Sequence, residues 1–157
     1  MVKEAQDVIG RYRPSSDSLR TYEPIGSPLE GHLMSKEYRT KMTDWMVEVC
    51  SSFKCSPRTY FLSVALFDRY LAAAGRMGAK LINKDVHPIG VTSIYMASKF
   101  EDVFPLHSKV VSEKIAHGAM TSEDIVAKER EFLELFGYQL DVVTEFDFFE
   151  TYMEKIA

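Results

Sequence analysis

The feature that most constrains this chain is a strong helical signal, broken once, from Lys36 to Ala74: KEYRTKMTDWMVEVCSSFKCSPRTYFLSVALFDRYLAAA. In its first half, Tyr38, Met42, Trp45, Met46, Val49 and Phe53 recur at helical spacing and give one apolar face. Ser35 stands where an N-cap belongs. The break holds Lys54, Cys55 and Ser56. Ser56 then caps a second helix with Pro57 at its first position, where a missing N–H costs nothing. From Tyr60 to Ala74 that helix is apolar on nearly all sides, the pattern of a helix enclosed by others. It is therefore expected to be the most buried element, with its neighbours wrapped around it.

Two of the charges in this stretch need an account, Arg39 early in the first helix and Asp68 directly after Phe67. A buried charge is costly unless paired. Asp68 either lies at an exposed edge or meets Arg39 across the helix pair.

The chain before this stretch has a different character. A short helical pattern, residues 4–12, carries Val8, Ile9 and Tyr12 on one side. A connector follows with Pro14, Pro24, Gly26 and Pro28, a spacing of breakers that predicts a path over the surface of the helical body. Beyond Ala74, Gly75 and Gly78 end the second helix and a loop runs through Asp85. Pro88 opens a third helix, with Ile89, Val91, Ile94, Tyr95, Met96 and Phe100 apolar and Gly90, Ser93, Ala97 and Ser98 small enough for close packing. A fourth spans about His107 to His117 and stops at Gly118. Thr121 caps a fifth, with Asp124 in the capping-box position, and Gly137 ends it. A last helix covers about Thr144 to Lys155. No stretch shows clean period-two alternation, so the expected class is all-α.

Composition narrows the function. The net charge of −4 argues against a nucleic-acid surface, and no apolar run approaches the length of a membrane span. No secretory signal pattern opens the sequence. Cys50 and Cys55 form neither a CxxC pair nor a disulfide framework. They suggest a reducing compartment, with Cys50 in the core and Cys55 in a loop. His32, His87, His107 and His117 are scattered, no phosphate-cradling glycine loop precedes a helix, and no nucleophile–base set stands out. Neither a metal nor another cofactor is expected, and the residues support a binding module rather than an enzyme.

Four groups in register carry a family likeness: Arg39; Asp44-Trp45-Met46-Val47-Glu48-Val49; Asp68-Arg69-Tyr70-Leu71; and Ala97-Ser98-Lys99-Phe100-Glu101. In order and spacing they resemble the cyclin box, most nearly that of the mitotic A- and B-type cyclins, over residues 36–141. The resemblance implies a five-helix cyclin-box bundle at 36–141. A short N-terminal helix and connector would precede it at 1–35, and residues 142–157 would form a linker or the entry to a second box.

The same resemblance implies a function. Cyclins of this kind bind a cyclin-dependent Ser/Thr kinase and activate it, within the nucleus and cytoplasm. It implies that Lys99 and Glu129 grip the kinase C helix, with Phe100, Leu133, Tyr138 and Leu140 as an apolar surround. It makes Arg39 and Asp68 a buried ion pair. It also implies a docking groove for substrate or inhibitor peptides, formed by the first helix and the start of the third, at Met42, Trp45 and Glu48. Lys41 and Tyr38 depart from the family pattern there, and a lysine in that groove would repel an arginine-bearing ligand. Two other readings of a cyclin-like fold are a transcription adaptor, which a basic face would favour, and a helical scaffold with no kinase partner.

Overall fold

The computed structural model describes residues 27–140 and 142–156. The chain forms two compact units. Ile25–Leu140 is one, and residues 142–156 belong to the other. The helix expected at residues 4–12 lies outside the described residues.

The larger unit is built from α1 (Lys36–Ser52), α2 (Pro57–Arg76), a 3-10 turn (Asn83–Asp85), α3 (Val86–Glu101), a fourth helical segment and α5 (Ser122–Leu135). The fourth segment, α4, starts as one α-turn, Ser108–Val110, and continues as a π-helix, Val111–Ile115. The second unit contains α6 (Glu145–Ile156), where Thr144 N donates to Asp147 Oδ2 at 2.9 Å. There is no strand among the described residues.

The hub is α3 rather than α2, which corrects the expectation from the apolar run at Tyr60–Ala74. Ten consecutive residues, Ile89 to Ser98, are buried, whereas α2 leaves Tyr60, Phe61, Val64, Ala65 and Arg69 half-buried. α3 touches α1, α2, α5 and the π-helical segment. Its polar residues make this possible by bonding within their own helix. Thr92 Oγ1 donates to Pro88 O at 2.8 Å and Ser93 Oγ to Ile89 O at 2.7 Å, so short side chains enter the core without an unpaired hydroxyl. Gly90 admits α1: a Cβ there would run into Met42 Sδ and stand 3.0 Å from its Cε.

The helix ends follow three patterns. Ser56 Oγ accepts from Thr59 N at 3.2 Å, and Thr121 with Asp124 completes a reciprocal capping box, aspartate proving long enough. Ser35 occupies the N-cap of α1 but makes no side-chain cap, and its N–H instead donates to Asn83 Oδ1 at 3.3 Å. α3 starts at Val86, two residues before Pro88, because the 3-10 turn feeds directly into it. At the other ends, α1, α2 and α5 close in Schellman motifs with a left-handed residue: Lys54 (φ 55°), Gly78 (φ 83°) and Gly137 (φ 59°).

Gly75 does not end α2 but lies in its last turn. There it lets the chain before α1 come close, with a Cβ standing only 3.2 Å from His32 Nε2. His32 bridges Leu71 O (Nε2, 2.7 Å) and Leu81 N (Nδ1, 3.1 Å), which requires the neutral ring with its proton on Nε2. This part of the connector is therefore pinned, and Met34 beyond it is buried.

Candidate functional site

The last turn of α3 and the middle of α5 bring Lys99 and Glu129 together. Lys99 Nζ lies 2.6 Å from Glu129 Oε1 and 2.7 Å from Oε2, and 4.5 Å from the centre of the Tyr95 ring. Burial alone would lower the lysine pKa; the hydrogen bond and charge of Glu129 outweigh it and raise the value. The Lys99 side chain keeps 39 % of its surface exposed and that of Glu129 18 %, so Glu129 is more enclosed than an open-surface site requires.

Apolar residues are exposed on or just after both helices that carry this pair. On α3 and the loop after it, Phe100 is half exposed, and Val103 and Phe104 are almost fully so, at 87 % and 91 %. On α5, Leu133 follows Glu129 by four residues and lies on the same side of the helix. Tyr138, 67 % exposed, donates its N–H to Leu133 O at 2.8 Å as part of the Schellman closure. Leu140 is half-buried. Val103 and Phe104 were not legible as site residues. Their signal was two bulky apolar groups between Asp102 and Pro105, outside any helical period.

Asp102 holds the end of α3 in place. Its Oδ1 accepts from Thr59 Oγ1 (2.6 Å) and Ser56 N (3.1 Å), and its Oδ2 from Ser98 Oγ (2.9 Å). Ser98 Oγ in turn accepts from Leu106 N at 2.9 Å. Burial works to raise the Asp102 pKa, but the bonds from Thr59, Ser56 and Ser98 prevail and lower it. Glu101 and Asp102 are both half-buried, and Asp102 ties the α1–α2 corner to the segment carrying Lys99 and Phe100.

The residues aligned with a docking groove are distributed differently. Met42 is buried against Gly90, so it backs the surface rather than lining it. Trp45 is half-buried, with its ring 5.6 Å from that of His87 at the start of α3. Burial, then the nearby His117, lowers the His87 pKa. Glu48 is exposed, as is Lys41, whose ammonium sits 5.5 Å from the Tyr38 ring. A separate open groove of about 540 Å³ runs along α1, lined by Pro28, Leu29, Lys36, Arg39, Lys41 and Asp68 among others, and shares only Lys41 with this set. Arg39 and Asp68 make two hydrogen bonds, with side chains 31 % and 19 % exposed, so the pair is half-buried rather than buried. No cluster of three or more metal-binding side chains occurs among the described residues, and no helix there is long and apolar enough to cross a membrane.

The all-helical fold of this unit has a counterpart among known proteins. Residues 13–141 match the family described as "Cyclin, N-terminal domain", and the chain belongs to that family. It is 27 % identical to G1/S-specific cyclin-E1 of Gallus gallus over 78 % of its length. It is 29 % identical to G2/mitotic-specific cyclin-A of Hydra viridissima over 91 %, and 30 % identical to S-phase entry cyclin-5 of Saccharomyces cerevisiae over 83 %. These matches cover 29 %, 30 % and 28 % of the relatives, so the chain spans less than a third of their length. The fold is also similar to that of a viral cyclin from herpesvirus saimiri, with a TM-score of 0.64, 23 % identity, and coverage of 74 % of this chain and 48 % of that one.

Proposed function

We propose that this cyclin is the non-catalytic regulatory subunit of a cyclin-dependent Ser/Thr kinase, acting in cell-cycle control within the nucleus and cytoplasm. The observation that carries the reading is the Lys99–Glu129 pair beside exposed Phe100, Val103 and Phe104. The two groups are already held together, so little side-chain entropy remains to be lost on binding. The Lys99 side chain keeps 39 % of its surface exposed, and the Glu129 carboxylate retains unused lone pairs. Both can bond main-chain groups of a partner helix while the surrounding apolar side chains bury against its flank, as at the centre of a protein interface.

Kinase activity requires the C-helix glutamate to reach the catalytic lysine. A rigid body that packs on that helix only in its inward position shifts the equilibrium towards the active form by its difference in affinity for the two states. Asp102 contributes by fixing the backbone from which Phe100 projects. No chemistry is required of the cyclin itself.

The test is the double variant Lys99→Ala, Glu129→Ala. Hydrogen bonds to charged groups contribute roughly 1.5–3 kcal/mol each, so losing both should weaken kinase binding by about two to four orders of magnitude. The melting temperature should hardly move. A folded double variant that binds and activates the kinase like the parent would assign the kinase site to another face.

A further inference from the structure

The C-terminal closure of α1 joins the two cysteines of the chain. Cys55 N donates to Cys50 O at 2.9 Å and Lys54 N to Ser51 O at 3.4 Å, with Lys54 in the left-handed region. That is a Schellman motif, in which the residues joined by the bond that spans six residues commonly bring their side chains into contact. Here those residues are Cys50 and Cys55, both free thiols, the first buried and the second half-buried. Disulfides need α-carbons about 4.4–6.8 Å apart. The bond from Cys55 N to Cys50 O turns the chain back on itself here, and the two side chains hydrogen-bond to each other.

We propose that Cys50 and Cys55 form a peroxide-oxidisable dithiol, with Cys55 as the attacking thiol and Cys50 as the resolving one. The Cys55 thiolate attacks a hydroperoxide, the O–O bond breaks, and sulfur is oxidised to the sulfenic acid as the peroxide is reduced to an alcohol, or to water from hydrogen peroxide. Cys50 then attacks that sulfur, the S–O bond breaks, and water leaves carrying the Cys50 proton. In sum, two thiols and one hydroperoxide give one disulfide, one alcohol and one water.

The division of roles follows from the surroundings. Cys55 has solvent access, and the hydrogen bond from Cys50 holds its pKa below the usual thiol value, against burial and the Asp102 carboxylate. That same bond, then burial, pushes the Cys50 thiol up, so it reacts only once Cys55 is oxidised. In a reducing compartment the resting form is the dithiol, and the disulfide is transient. The site lies at the corner whose next residue, Ser56, donates its N–H to Asp102. Oxidation therefore acts on the segment that supports the end of α3.

Tryptic cleavage after Lys54 separates the two cysteines, so the disulfide is read directly as a linked pair of peptides, residues 42–54 and 55–58. The reduced chain is treated with hydrogen peroxide, folded and in urea. Expected are loss of both titratable thiols in a monomer, the linked pair, and faster linkage in the folded chain. In Cys50→Ser, dimedone should label Cys55; in Cys55→Ser, loss of the remaining thiol should slow by about tenfold or more. Retention of both thiols in the folded parent would overturn the proposal. So would linkage only between chains, or linkage no faster folded than in urea. The parent chain supplies these readouts even where a variant does not fold.

Discussion

Arg39 and Asp68 meet through two near-parallel hydrogen bonds, Nε to Oδ1 at 2.8 Å and Nη2 to Oδ2 at 2.6 Å, across the α1–α2 interface. Such a fork fixes the rotation of one helix against the other as well as their separation. Truncating one partner of a fully buried pair costs about 3–5 kcal/mol, whereas a surface pair is worth about 0–1. This pair lies between, so Asp68→Ala should cost about 2 kcal/mol, read as a lower urea midpoint with an unchanged slope. An unaltered midpoint would show that the fork adds nothing to folding.

Asp102 gives a pH-dependent prediction. Its folded pKa is lowered from an ordinary 3.8. A depressed carboxylate stabilises the fold fully above the unfolded pKa, and that contribution is lost as the pH falls through the folded pKa. Stability should therefore decline as the pH drops below about 4, and Asp102→Asn should flatten that part of the curve. At neutral pH, Asp102→Ala should cost about 3 kcal/mol, since three donors lose an ionised acceptor. Acid titrations of parent and Asp102→Asn that superimpose would count against this role.

Gly90 tests the packing of α1 on the hub. Ala is the better helix former by about 1 kcal/mol, yet overpacking a tight core costs about 1–3. With Met42 in the way, Gly90→Ala should destabilise by about 1 kcal/mol net. In a Met42→Ala background the same change should become neutral or stabilising, because the obstructing side chain is gone. Additive effects in this double-mutant cycle would mean that the contact is not what selects glycine.

Helix existence was legible because each helix carries its own apolar period and several carry their own start or stop: Ser56-Pro57 and Thr121 with Asp124 as starts, Gly137 as a stop. The hub was not. Leu-, Phe- and Tyr-rich α2 has the stronger hydrophobic signal, but enclosure depends on how many neighbours surround a helix. α3, with its glycine, serines and threonine, is the one narrow enough to be surrounded. Gly75 was misread for a related reason, since a glycine that admits a neighbour looks the same in sequence as one that ends a helix. The π-helical turn of α4 leaves no composition signal; it shows only as the Ala116 N to Val111 O bond at 2.7 Å. Lys99 was accessible through the four-part motif, Glu129 only through what the family resemblance implies, and Leu133 through helical spacing from Glu129. Asp102 was not, because its three donors come from residues 4 to 46 positions away.

The last prediction concerns peptide docking at α1. Lys41 is exposed beside Tyr38, on the helix that also presents Trp45 and Glu48. Its ammonium would oppose the arginine of an Arg-x-Leu peptide. It is not neutralised by Tyr38, whose ring attracts a cation only weakly at an exposed site, by about 0.5–1 kcal/mol. The unmodified chain should therefore bind such peptides poorly. Lys41→Leu removes the repulsion and adds apolar surface, which together should tighten binding by about tenfold, or ~1.4 kcal/mol. The gain should shrink as salt is added, because screening weakens the repulsion in the parent but leaves the leucine contact untouched. Titration calorimetry with one peptide against both chains at two salt concentrations separates these contributions. Tight binding by the parent, or a gain independent of salt, would show that Lys41 does not set the preference of this surface by charge.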